Sequence, residues 1–145
     1  MAKQHILIKQ NFNAPIATVF NALTDHENLG RVLKAKIVRI KDSDENSSNV
    51  NGVGSIRRIT PLPFSHFEET VVSYEENQLM EYVVSKGSPI KNHIGRMEFS
   101  EVNGKTLLNY TIDFEPKIPF LGKLLKGLIE APITKGLKAL SDSYA

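Results

Sequence analysis

The chemistry available to this chain is concentrated in a few polar residues set among apolar ones. Arg57 and Glu69 could bind a carboxylate or a carbonyl, with the guanidinium supplying the donors. The competing reading is a cross-strand ion pair that neutralises itself and adds little net stability when buried. His93 near Tyr82 and Tyr110 could supply a general base for enolisation, with a tyrosine as acid. That makes His93 and Tyr82 the candidates for catalysis, against the commoner role of a histidine satisfied by hydrogen bonds in the core. His5 and His66 have no partners at metal-ligand spacing, and His26 stands alone at a helix end, so no metal site is expected. Gly52-x-Gly54 lacks the third glycine and the Lys-Ser/Thr of a phosphate loop and precedes a strand, so that reading is set aside.

The whole chain narrows these options. Its 145 residues fit one domain spanning 1–145. With 41% apolar and 23% charged residues it can fill an ordinary core, and a net charge of +2 implies no field for nucleic acid. No cysteine is present, which removes disulfides, thiolate metal sites and cysteine nucleophiles. The same fact fits a reducing compartment, and a cytoplasmic location is expected. Met1 to Phe12 alternates and has no apolar h-region, so no signal peptide is expected. No run of residues reaches the ~18–20 apolar positions of a membrane span. No cofactor is called for.

The elements that must position the polar residues follow from periodicity. Gln4 to Phe12 alternates as a strand. Asn13-Ala14-Pro15 opens a short helix, with Asn13 as N-cap, that ends near Asp25 to Gly30. Lys36 to Ile40, Gly54 to Thr60, Ser65 to Tyr74 and Leu79 to Ser85 read as strands, and Lys41 to Gly52 as a loop. Asn92 to Val102 and Lys105 to Glu115 flank Asn103-Gly104, a strong hairpin signal. From Pro119 to Tyr144 the period becomes helical, through Leu121, Leu124, Leu125, Leu128, Ile129, Ile133, Leu137 and Leu140, with Pro132 expected to kink the helix. The fold class is α+β: a curved antiparallel sheet of about seven strands around a long C-terminal helix.

Turns fix register, and register fixes faces. The Asn103-Gly104 turn sets Phe99 opposite Leu108, Met97 opposite Tyr110, Gly95 opposite Ile112 and His93 opposite Phe114. A Glu75 to Gln78 turn sets Ser73 opposite Met80, Val71 opposite Tyr82 and Glu69 opposite Val84. A bend centred on Pro63 sets Arg57 opposite Glu69 and Ile59 opposite Phe67. The resulting inner face is apolar with scattered polar groups, as a ligand pocket is. Its expected lining is Arg57, Ile59, Phe67, Glu69, Val71, Tyr82, Val84, His93, Gly95, Met97 and Tyr110, with Phe64 at the rim and Leu124 and Leu128 from the helix.

The order of elements, with Asn13-Ala14-Pro15 to Val19-Phe20 and Leu23-Thr24-Asp25, then Gly52-Val53-Gly54-Ser55-Ile56-Arg57, resembles the START-like (SRPBCC) superfamily in its polyketide cyclase/dehydrase branch. The likeness covers nearly the whole chain, although the family's tryptophan after the first helix is absent. The resemblance implies the helix-grip fold and a hydrophobic cavity between sheet and helix. Pro61-Leu62-Pro63-Phe64 and Gly87-Ser88-Pro89-Ile90 occupy the places of the gate and latch loops of abscisic-acid receptors, which implies a pocket mouth there. It points first to binding or carriage of a hydrophobic small molecule (a lipid, quinone or polyketide-like ring). The alternatives are a cyclase/dehydratase using the same cavity, or a protein-interaction module with a filled one. Lys117, Lys123, Lys126, Lys135 and Lys138 surround the apolar C-terminal helix. They suit the wet face of a packed helix, or transient contact with an anionic membrane.

Overall fold

The computed structural model describes residues 3–44, 49–63 and 65–145. Phe64 and the middle of the Lys41 to Gly52 loop lie outside them. Among these residues ten elements follow one another: β1 (Gln4–Phe12), α1 (Ile16–Thr24), α2 (His26–Leu33), β2 (Lys36–Lys41), β3 (Ile56–Leu62), β4 (Ser65–Glu75), β5 (Leu79–Lys86), β6 (Ile90–Val102), β7 (Lys105–Pro116) and α3 (Gly122–Ser143). The strands form one seven-stranded antiparallel sheet in the order β1-β7-β6-β5-β4-β3-β2. The long C-terminal helix of the expected fold is present, and two short helices follow β1 where one was anticipated.

The β6–β7 hairpin turns through Asn103 (φ 54°) and Gly104 (φ 77°), the positive pair that matches the twist of the strands. Its register places Phe99 opposite Leu108, Met97 opposite Tyr110 and Gly95 opposite Ile112. It then slips by one between Lys91 and Ile94, so His93 sits in a bulge and not squarely opposite Phe114. Asn92, with φ 51°, absorbs the bend.

A second slip corrects the expected β4–β5 pairing. The turn holds Glu75 opposite Leu79 and Tyr74 opposite Met80. A bulge between Val71 and Ser73 then restores Val71 opposite Tyr82 and Glu69 opposite Val84. Tyr74, not Ser73, therefore pairs with buried Met80. Tyr74 meets Phe20 edge to face at 5.4 Å, and Phe20 meets Phe99 at 5.0 Å.

The helices start differently from expectation. Pro15, not Asn13, holds the cap position of α1. A distant carboxylate completes that end: the Ile16 N–H donates to Glu101 at the tip of β6, at 3.3 Å. Asp25 interrupts the run and accepts from the Asn28 N–H, which starts α2 as a separate helix. In α3 the side turned to the core carries Leu125, Ile129, Ile133 and Leu137. Gly136 lets α3 close on α2, since a Cβ there would come within 2.6 Å of the Val32 carbonyl oxygen. Among the described residues no helix is long and apolar enough to cross a membrane.

Candidate functional site

Five neighbouring strands each contribute to one patch of the sheet's inner face. Arg57 on β3 pairs with Glu69 on β4, Tyr82 on β5 lies opposite Gly95 on β6, and Met97 on β6 lies opposite Tyr110 on β7. Arg57 is almost fully buried, with 1% of its surface exposed. Its Nε donates to Glu69 Oε1 at 2.9 Å, and its guanidinium carbon lies 4.3 Å from the centre of the Tyr82 ring. The Tyr82 and Tyr110 hydroxyls are hydrogen-bonded to each other. His93 packs on Tyr82 with ring centres 5.5 Å apart.

His26, which looked isolated in the sequence, belongs to this network. Arg57 Nη1 donates to His26 Nδ1 at 3.5 Å, so the imidazole proton must sit on Nε2, which donates to Ser55 Oγ at 2.9 Å. The His26 N–H reaches Asn51 Oδ1 at 3.4 Å, and Arg39 donates to the same oxygen at 3.1 Å. Burial, then the charges of Arg57 and Arg39, hold His26 down to a pKa of about 3, far below its ordinary range. The signal in the sequence was Asp25, whose capping preference starts a new helix and turns the next residue into the core.

His93 is also neutral. Its Nδ1 accepts from the Val84 N–H at 3.0 Å, which leaves the proton on Nε2. Burial lowers its pKa, with Glu69 opposing and Arg57 assisting. Burial raises Tyr82 well above the usual phenol range and Tyr110 to about 12. For Arg57 burial is the largest influence and opposes the charge, but Glu69, Tyr82 and Tyr110 together outweigh it and the net shift is upward. The patch therefore presents donors: two neutral imidazoles with Nε2–H, two phenols and a guanidinium.

Among these donors, His93 Nε2–H and Arg57 Nη2 have no protein acceptor among the described residues, and the bond between Tyr82 and Tyr110 uses only one of the two hydroxyl hydrogens. Among the described residues the sealed side-chain polar atoms without a partner are Tyr74 Oη and Asn109 Oδ1. His93 is buried as Arg57 is, with 9% of its surface exposed.

The remaining expected lining residues divide. Ile59, Val71 and Met97 are buried, and Phe67 and Val84 pack partly buried against the core. Gly95 does not face open space, because the Tyr82 ring covers it and a Cβ there would run into that ring. Leu124 and Leu128 are 59% and 63% exposed, on the side of α3 turned away from its packed residues. Helical periodicity marked them as apolar but could not say which part of an apolar stripe the sheet would cover. An open trough along α3, lined by residues such as Ala131, Thr134, Lys138 and Asp142, shares no residue with the polar patch. No group of three or more histidines and carboxylates close enough to hold a metal occurs among the described residues.

This architecture, a curved sheet closed over by a C-terminal helix with a polar patch on its inner face, is that of the helix-grip proteins. The chain belongs to the polyketide cyclase/dehydrase and lipid transport family, whose model matches residues 4–144. Among solved structures it is similar to Ara h 8.0201 (TM-score 0.68, 15% identity, 98% of this chain and 99% of that one). It is also similar to norcoclaurine synthase from Thalictrum flavum (TM-score 0.68, 14% identity, 97% and 86%). A third is the protein XoxI from Bacillus cereus (TM-score 0.72, 14% identity, 97% and 94%). These likenesses show the shared fold. No curated protein matches the chain. Family and fold are consistent with hydrophobic ligand binding or with polyketide cyclase-like function.

Proposed function

We propose that this chain binds a hydrophobic small molecule bearing a carbonyl or carboxylate oxygen, with its apolar body on the inner face of the sheet beneath α3. The observation that carries this reading is the pair of unspent donors, His93 Nε2–H and Arg57 Nη2, in an apolar wall. A buried donor without an acceptor costs about 1–3 kcal/mol, and a ligand oxygen would remove that cost. Ile59, Val71, Val84 and Met97 would meet the apolar body.

Binding is favoured over acid–base catalysis by protonation. Both imidazole nitrogens that accept already do so from protein donors. The phenols are held too high to ionise near neutrality. A cyclase acting through His93 as base would need it to surrender the Val84 N–H.

The test is native mass spectrometry of freshly purified protein against the same sample denatured, followed by titration with 8-anilinonaphthalene-1-sulfonate. Saturable dye binding, or an adduct lost on denaturation, is expected. His93→Leu, which keeps the volume and removes the donor, should weaken an oxygen-bearing ligand by about ten-fold. Neither adduct nor saturable binding would overturn the reading.

A further inference from the structure

The start of α3 displays what a soluble surface ordinarily hides. Phe120 is 101% exposed, Ile118 57%, Leu124 59% and Leu128 63%. Leu124 and Leu128, four apart, share one face of α3, and Phe120 stands just before that helix begins. Phe120 has φ 72°, a left-handed conformation unfavourable for a bulky side chain. The backbone around it is tied down. The Lys117 N–H donates to the Pro89 carbonyl at 2.9 Å, and the Leu121 N–H to the Ile118 carbonyl at 3.4 Å. The ring is thus held outward at a conformational cost, with none of the described residues covering it.

Charge indicates what covers it. From Lys117 to Ile129 the chain carries Lys117, Lys123 and Lys126 and no acidic residue. None of the three lysines enters an ion pair among the described residues. The nearest acid upstream, Glu115, is occupied by Asn92 Nδ2 at 2.6 Å. An apolar ridge flanked by unpaired lysines is complementary to a bilayer with anionic headgroups: the rings and methyls enter the interface and the ammonium groups stay at headgroup level. A protein partner would need an acidic rim fitted to the same small ridge, and nothing here specifies such a shape.

The geometry points to a membrane-docking surface at the β7–α3 junction, with Phe120, Leu124 and Leu128 inserting and Lys117, Lys123 and Lys126 engaging anionic lipid. It stands on the outer surface and does not depend on what the inner face binds.

The test is co-sedimentation of the full chain with vesicles of phosphatidylcholine alone or with phosphatidylserine added. Binding is expected only with phosphatidylserine, weakening as salt rises. Phe120→Ser should reduce it about ten-fold or more, from the transfer of one aromatic side chain. Removing all three lysines by substitution with Gln should reduce it about a hundred-fold, at about five-fold each. Because Phe120 contacts no core residue, its variant should unfold at the same urea concentration as the parent, which separates lost docking from lost folding. Equal binding to both vesicle types, or indifference to Phe120→Ser, would overturn the proposal. So would an absence of vesicle binding together with dimerisation abolished by Phe120→Ser, which would assign the ridge to contact between copies of the chain.

Discussion

The inner face of β3–β7 and the start of α3 invert the ordinary arrangement of a globular protein. The first, together with His26 of α2, places a guanidinium, a carboxylate, two imidazoles and two phenols where apolar residues would pack without cost. The second places phenylalanine, isoleucine and two leucines where solvent favours charge. They differ in how the misfit is handled. Inside, almost every polar group is paired with another, so removal of one member strands its partner. Outside, the apolar residues touch little, so each can be changed alone. The inner patch is thus bound up with stability, and the outer ridge is free to serve contact only.

Experiments can break this contrast. Glu69→Ala should have the largest effect, since it leaves Arg57 buried without its counter-charge. A loss of about 3–5 kcal/mol in urea unfolding is expected, and Arg57→Met in the same chain should restore much of it. A small effect of the single change would show that Arg57 is hydrated in solution.

The acid limb of stability should come next. His26 is held at about 3 in the folded chain against an ordinary 6.5, so protons bind the unfolded chain preferentially. Its contribution is complete above about pH 6.5 and drains away as pH falls towards 3. His93, also lowered, acts in the same direction. Between pH 6 and 4 the parent should lose about 1.4 kcal/mol more per pH unit than His26→Gln, which carries no proton to exchange. Parallel curves would mean His26 is solvated in solution. Gly95→Ala should cost about 1–3 kcal/mol, because Tyr82 must leave its place over the strand. Phe120→Gly should be the mildest, with stability unchanged or raised by about 0.5–1 kcal/mol through relief of the left-handed φ.

Much of the inner patch was legible before the fold was known, for a definite reason. Met97 opposite Tyr110 follows from a turn whose residues specify its geometry, whereas Arg57 opposite Glu69 rests on an irregular bend at Pro63 and holds despite a register shift between Ile59 and Leu62. Glu69 opposite Val84 came out right only because a one-residue error at the Glu75 turn is cancelled by the bulge after Val71. Bulges leave no reliable mark in alternation, and Ser73 and His93 were misplaced for that reason. His26 was missed because it lies between two helices whose separation hinges on one cap. Leu124 and Leu128 illustrate a different limit: an apolar period tells that a face exists, but its width against a curved sheet is set by tertiary packing.

The pairing of β1 with β7 has a consequence for how the chain is made. Gln4 lies beside Phe114, and the Glu101 carboxylate that completes the start of α1 is likewise far along the chain. The first strand emerges from the ribosome long before its only neighbour exists. At roughly 5–20 residues per second, that wait lasts on the order of 5–20 seconds. Throughout it Ile6 and Ile8, both buried at the end, face water beside an unpaired edge. Closure of so long a loop belongs to the slow range of spontaneous folding, milliseconds to seconds. The nascent chain should therefore depend on holding chaperones until β7 has been made.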